Sequence, residues 1–282
     1  MKLKSENYEI FIPDGLSPLE GLARTTHMAV GAHPDDLEIM AVDGILECFQ
    51  RTDKWFSGVV MTDGRASPRG ALYRDYTDDD MVVVRAKEQK KAATIGEYAA
   101  QVLLGYPSSV VKDSAHGETV ADLVCLLRMA GPKIIYTHNL ADKHATHVAV
   151  ALRVIDAIRR LEEAERPQKL YGCEVWRDLG WMLDTDKVVF DCSTQNNLQT
   201  ALLGVFDSQI SAGKRYDLAT MARRAAHATY FASHGVDEAS GLVFGMDLTP
   251  LIIDVEMDIS TYVQGYIDRF AGDVRSLIEK MQ

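Results

Sequence analysis

Ala32-His33-Pro34-Asp35-Asp36-Leu37-Glu38 is the stretch on which the reading of the chain turns. An apolar run, His27-Met28-Ala29-Val30-Gly31, precedes it and reads as a buried strand. Apolar residues at 37, 39, 40, 42, 45, 46 and 49 follow it, at the spacing of a helix over Leu37 to Phe49 with one wet face. His33, Asp35 and Asp36 therefore sit where a strand gives way to a helix, the edge at which open parallel sheets bind ligands. Pro34 suits such a turn, because its fixed φ favours a first helical turn, its missing N–H is not needed there, and it keeps His33 extended. His33 and Asp36 can then converge on one cation, while Asp35 points elsewhere and is free to act as a base on water. One imidazole and one carboxylate are two of the three protein ligands that a catalytic zinc requires. Acids also cap helices, but capping calls for neither the histidine nor the second aspartate.

Outward from this turn the chain alternates strand and helix. Trp55 to Met61 reads as a strand ending in Thr62-Asp63-Gly64, and Met81 to Gly96 as a helix opened by Asp78-Asp79-Asp80. The long polar stretch between them, Arg65 to Asp80, has the length of a lid or binding loop. A strand over Gln101 to Leu104, a helix over Glu118 to Met129 and a strand over Lys133 to Tyr136 follow. A second polar turn, Thr137 to His147, then leads into a helix over roughly 147 to 164. The alternation predicts an α/β fold, Rossmann-like, with a mostly parallel sheet flanked by helices. After Lys169 the pattern loosens. Short strands are expected at Gly172 to Arg177, Val188 to Phe190 and Leu251 to Val255, with helices at Asn196 to Phe206, Tyr216 to Phe231 and Thr261 to Lys280. The expected organisation is an N-terminal extension (1–25), bracing the core or a neighbouring subunit, and one domain (26–282). That domain has a core at 26–165 and a C-terminal elaboration at 166–282 that walls the pocket.

Composition narrows the function. The 282 residues are 47% hydrophobic and carry a formal net charge of -11, so they can build a sizeable core and are repelled by phosphate backbones. No nucleic-acid role is expected, and no apolar run reaches transmembrane length. Cys48, Cys125, Cys173 and Cys192 are widely spaced, and Cys48 and Cys125, inside apolar helical patterns, read as buried thiols, which suits a reducing compartment. With no apolar leader over Met1 to Asp14, a cytoplasmic location is expected.

His144 and His147, three residues apart, face the same way on a first helical turn, and either can complete the metal site. Several segments together resemble the LmbE-like (PIG-L) family of zinc-dependent N-acetylglucosaminyl deacetylases. They are A-H-P-D-D-L-E after the first strand, T-D-G after the second, R-x-x-E at Arg85 and Glu88, and D-x-H-x-x-H at Asp142, His144 and His147. The resemblance covers roughly residues 26 to 160. It implies a Rossmann-like fold with one zinc, or another divalent ion, held by His33, Asp36 and His147. It implies Asp35 as the general base and His144 as the residue that stabilises the oxyanion or protonates the leaving amine. It makes Arg85 a substrate contact and, more softly, adds Asp63 and Glu238. The family commonly has H-P-D-H where this chain has His144-Ala145-Thr146-His147, and Gly-Gly where this chain has Asp43-Gly44. Neither change removes an expected ligand.

The expected reaction releases acetate from an N-acetylglucosamine-type small molecule through a water on the metal, with a cationic His144 balancing the developing charge. The rivals are an amidase acting on a larger acyl group and a non-catalytic sugar-binding module. A dinucleotide site is not expected, since the first turn lacks G-x-G-x-x-G. His138 reads as a loop-orienting residue, Trp55 and Trp176 as core, and His116 as surface. His227 and His234 line either the pocket or the core. Arg65, Arg69, Tyr73 and Arg74 stand where they could reach a sugar or an anionic aglycone. The added termini leave room for a homo-oligomer.

Overall fold

Strand β2 (His27–Gly31) is buried along its whole length, as is β3 (Phe56–Thr62) beside it. That double-sided burial explains why both read as unbroken apolar runs rather than alternating ones. The computed structural model describes residues 2–282, so residue 1 of the expected extension lies outside the described residues. The remaining strands are β1 (Glu9–Phe11), β4 (Ala100–Tyr106), β5 (Ile134–His138), β6 (Lys169–Cys173), β7 (Lys187–Asp191) and β8 (Leu242–Asp247). The helices are α1 (Pro18–Ala23), α2 (Asp36–Met40), α3 (Val42–Cys48), α4 (Asp78–Ile95), α5 (Ser108–Lys112) and α6 (Glu118–Ala130) in the first half. They continue as α7 (Ala145–Arg159), α8 (Asn196–Gly204), α9 (Asp207–Ile210), α10 (Tyr216–Phe231), α11 (Pro250–Ile253) and α12 (Ile259–Met281).

The strands form one 8-stranded sheet in the order β1-β4-β3-β2-β5-β6-β8-β7. Its centre, β4 to β6, is parallel, and β1, β8 and β7 add antiparallel edges. Strand order reverses between β2 and β5, and that switch point opens the crevice in which ligands sit in such sheets. The N-terminal extension braces this chain's own core: β1 pairs with β4, the outermost strand of the parallel centre, and Asp122 accepts the backbone N–H groups of Lys4 and Ser5.

Three expectations need correction. The helix expected over Leu37 to Phe49 is two, broken at Ala41 (φ -112°, ψ 25°). Arg224 of α10 donates to the carbonyls of Glu38 and Ile39 there, at 2.8 and 3.3 Å, so another segment terminates α2. α2 has no wet face, since all of its residues are buried. The strand expected at Leu251 to Val255 is helix α11, which starts at Pro250, a residue suited to a first helical position. The strand in that region is β8, in which Gly245 argues against a strand by sequence. A Cβ at Gly245 would stand 2.8 Å from the Phe190 ring of β7, so its absence lets the two strands pack.

Asp43-Gly44 has a related explanation. The Tyr136 hydroxyl donates to Asp43 at 2.7 Å, and a Cβ on Gly44 would lie 2.5 Å from the Tyr136 ring. Gly44→Val should therefore cost about 1–3 kcal/mol by overpacking, read as a lowered midpoint in urea. An unchanged midpoint would show that α3 can move off the sheet freely.

Candidate metal centre and the cavity above it

The two chemical turns leave β2 and β5, which are paired neighbours, so topology brings them together. Asp36, the first residue of α2, folds its carboxylate back under the turn. Its Oδ2 accepts the N–H groups of Ala32 and His33 at 3.1 and 2.7 Å. The same oxygen lies 3.2 Å from His33 Nδ1 and 3.5 Å from His147 Nε2, and the two nitrogens are 3.2 Å apart. Ligand atoms on a tetrahedral cation with bonds of about 2.0–2.1 Å stand roughly 3.3 Å from one another. Two imidazoles and a carboxylate at these separations fit a divalent ion of the zinc type. His144 and His138 extend the group on either side. Burial works to raise the Asp36 pKa, but His147 and His138 outweigh it and hold the carboxyl well below its usual range.

His147 is oriented from behind. Asp142 Oδ2 lies 3.3 Å from His147 Nδ1, the carboxylate–imidazole arrangement that fixes a ligand tautomer. Asp142 also accepts the backbone N–H groups of His144 and Trp176, at 2.9 and 3.1 Å. The acid missing from His144-Ala145-Thr146-His147 is thus supplied from five residues upstream of His147. Its spacing in D-x-H-x-x-H was the available signal.

Asp35 sits at the N-cap of α2 in a left-handed conformation (φ 96°). Gln89 accepts its N–H at 3.1 Å, and Arg85 Nη2 meets its Oδ2 at 2.8 Å. Burial pushes the Asp35 pKa up to about 6 against the pull of Arg85. Arg85, itself 1% exposed, also donates to the carbonyl of Pro34 and to Glu88. It carries Asp35 and, although held by these carboxylates, also lines the cavity above them, the side on which a substrate contact was expected of it.

A cavity of about 530 Å³ lies over these groups, with His33, Asp35, Asp36 and His144 in its floor. Trp176, expected in the core, forms part of its wall beside Tyr216, their rings 6.0 Å apart and nearly perpendicular. Its position just past β6, on the same sheet edge, was the overlooked signal. Lys112, Lys214 and Arg223 bring positive charge to the lining, and Lys214 Nζ stands 5.2 Å over the Trp176 ring. Nothing in the sequence marked these residues. From the 65–80 loop, Ala66, Ser67 and Pro68 line the cavity. Arg65, Arg69 and Tyr73 are instead engaged with Asp63, Asp78 and Asp207.

The other expected contacts fall elsewhere. Asp63 borders a second cavity, of about 380 Å³, and Glu238 is exposed and outside the lining of the first. His138 does more than orient a loop: it is fully buried, accepts the Ala32 N–H at 2.9 Å and stacks on His147 at 3.8 Å. His227 lies 3.1 Å from both carboxylate oxygens of Glu174, and His234 is exposed. Burial and the neighbouring imidazoles lower the His144 pKa, which favours a neutral donor over the expected cation.

Residues 28–158 match the family model PIG-L, described as GlcNAc-PI de-N-acetylase, so the resemblance carried by the motifs holds over that segment. No curated protein sequence matches the chain. Among solved structures, the 4-carboxy-2-hydroxymuconate hydratase GalB from Pseudomonas putida KT2440 aligns at TM-score 0.60 and 15% identity, over 79% of this chain and 96% of its own. The N,N'-diacetylchitobiose deacetylase from Pyrococcus horikoshii aligns at TM-score 0.57 and 16% identity, over 78% and 83%. A zinc-inhibited form of teicoplanin deacetylase aligns at 0.54 and 14%, over 79% and 98%. At these identities the likeness is one of fold.

Removing Arg85 leaves Asp35 and Glu88 buried without their cation. Arg85→Met should cost about 3–5 kcal/mol, and Arg85→Lys, lacking the planar fork, should recover only part of it. Unchanged urea midpoints in both would show that the two carboxylates are satisfied without the guanidinium.

Proposed function

On a chain whose residues 28–158 form a PIG-L, or LmbE-like, core, we propose a divalent-metal hydrolase that removes the acetyl group from an N-acetylglucosamine-type substrate. Acetate and a free amine leave as products. The observation that carries this reading is the triangle of His33 Nδ1, Asp36 Oδ2 and His147 Nε2, with the Asp35 carboxylate beside it in the floor of a cavity. Those three residues would hold the ion, one per chain, zinc in the first instance, although imidazole and carboxylate ligands also accept other divalent metals. A cation bound there supplies a more acidic water and a polarised amide carbonyl.

The chain's own groups do the rest. Asp35, aimed by Arg85 and by the Gln89 bond to its backbone, accepts a proton from the attacking water at its carboxylate. His144 also lines the cavity, its ring edge-on to His33 at 5.1 Å, with a buried Nδ1 that has no partner among the described residues. It donates to the amide oxygen as charge develops there, or to the departing nitrogen. Trp176 and Tyr216 offer flat apolar faces to a sugar ring. Lys112, Lys214 and Arg223 favour a substrate whose aglycone carries negative charge. All four cysteines are free, which suits a reducing cytoplasm, and among the described residues no helix is long and apolar enough to cross a membrane.

Metal content and acetate release, measured together, test the proposal. Wild type should hold about one metal per chain, the number of open-site ions that three protein ligands make, and should release acetate from N-acetylated amino sugars. His147→Ala should lose both. Asp35→Asn should keep the metal and lose turnover by about a hundredfold or more. Full activity in Asp35→Asn would remove the base assignment. A metal-loaded wild type that releases acetate from no N-acetylated sugar, but cleaves a bulkier acyl conjugate, would transfer the reading to that amide.

A further inference from the structure

Helix α12 is anchored along its first half, where the Tyr262 hydroxyl donates to the Asp247 carbonyl at 2.6 Å, Tyr266 is buried and Arg269 Nε donates to Asp186 at 2.7 Å. Every residue from Ile267 onward is exposed. Along this stretch Ile267, Phe270, Val274, Leu277 and Met281 fall on one stripe, at alternating three- and four-residue steps, with Ile278 on its flank. Phe270 still meets Trp181, ring centroids 6.1 Å apart, but Leu277 and Met281 are 58% and 77% exposed. A monomer leaves this seam in water.

We propose that a second copy of this chain covers it, the two α12 helices pairing antiparallel about a twofold axis. The charges select this occupant and its register. With Ile267, Val274 and Met281 at heptad position a, and Phe270 and Leu277 at d, Asp273 and Lys280 fall at g, and Ala271 and Ile278 at e. When Val274 packs on the partner's Leu277 and Phe270 on the partner's Met281, Asp273 meets the partner's Lys280. Symmetry repeats that pair, and Ile278 lies against the partner's Ala271 on the other flank. A slide of one heptad towards the body sets Asp273 against its own mate, and a slide outward does the same to Lys280. A parallel pair would face Asp273 with an isoleucine. Only the first arrangement matches every flanking charge. Asp268, Asp273 and Glu279 balance Arg269, Arg275 and Lys280, so the helix has no excess of positive charge with which to settle on an anionic membrane. The seam is short, about 21 Å at 1.5 Å per residue, so the dimer should be reversible and concentration-dependent.

Sedimentation velocity of the full chain across a concentration series tests this. Wild type should pass from monomer to dimer. Asp273→Lys alone and Lys280→Asp alone should each weaken the dimer about tenfold, two attractive exposed pairs becoming repulsive. The two together should restore it. Val274→Glu should abolish dimerisation with an unchanged helical signal in circular dichroism. A monomer at every concentration overturns the proposal. So does a dimer indifferent to the single swaps, a double variant that is not rescued, or a chain that stays monomeric while binding vesicles of anionic phospholipid.

Discussion

A carboxylate almost wholly withdrawn from water sets the terms for this molecule. Asp36 is 2% exposed, and burial of an anion on that scale is tolerated only when its lone pairs are fully occupied. Two backbone N–H groups at the end of β2 and the His33 and His147 imidazoles beside it go towards that demand. The price is geometric: β2 has to end at Gly31, the turn has to curl over its own first helical residue, and the neighbouring β5 and the α7 helix that follows it have to deliver His138 and His147. The same oxygen that organises the turn is the one placed to bind a cation. Structure and proposed chemistry therefore rest on one atom.

Around this centre lies a second layer of buried polar groups, assembled from distant parts of the chain. Gln89 of α4 joins the Asp35 backbone to Glu38, which also accepts from the Tyr98 hydroxyl at 2.8 Å. Burial pushes the Glu38 pKa up to about 8, so near neutral pH this carboxyl is largely protonated and adds little net charge beside Asp35. Arg224 closes the far end of α2, and Ser208 bonds Glu88, the residue that steadies Arg85. Networks of this kind are stiff because each member is expensive to leave unpaired.

Legibility in the sequence followed the range of the interactions concerned. Where a turn's chemistry is local, as in His33 to Glu38 or Asp142 to His147, type and spacing of residues were enough to locate it. The parallel centre of the sheet was legible for the same reason, since double-sided burial leaves an apolar run. What escaped depended on contacts between remote segments. Arg224 breaks a helix that lies more than 180 residues earlier, at a separation of 186. Gly245 makes sense only beside the Phe190 ring, and Arg85 looks like an open cation until the carboxylates packed on it are seen. Trp176 is indistinguishable from a core tryptophan until β6 is placed on the sheet edge that bears the cavity.

The left-handed backbone at Asp35 sets two selective pressures against each other. That conformation costs an L-residue energy that glycine would not spend, although aspartate bears it better than most. Glycine at 35 would relax the turn and empty it of its carboxylate, and with that of the guanidinium's main partner. A sequence drifting towards greater stability at this position drifts away from the base proposed for the reaction, so the strain is retained at the one residue whose carboxylate that chemistry would need.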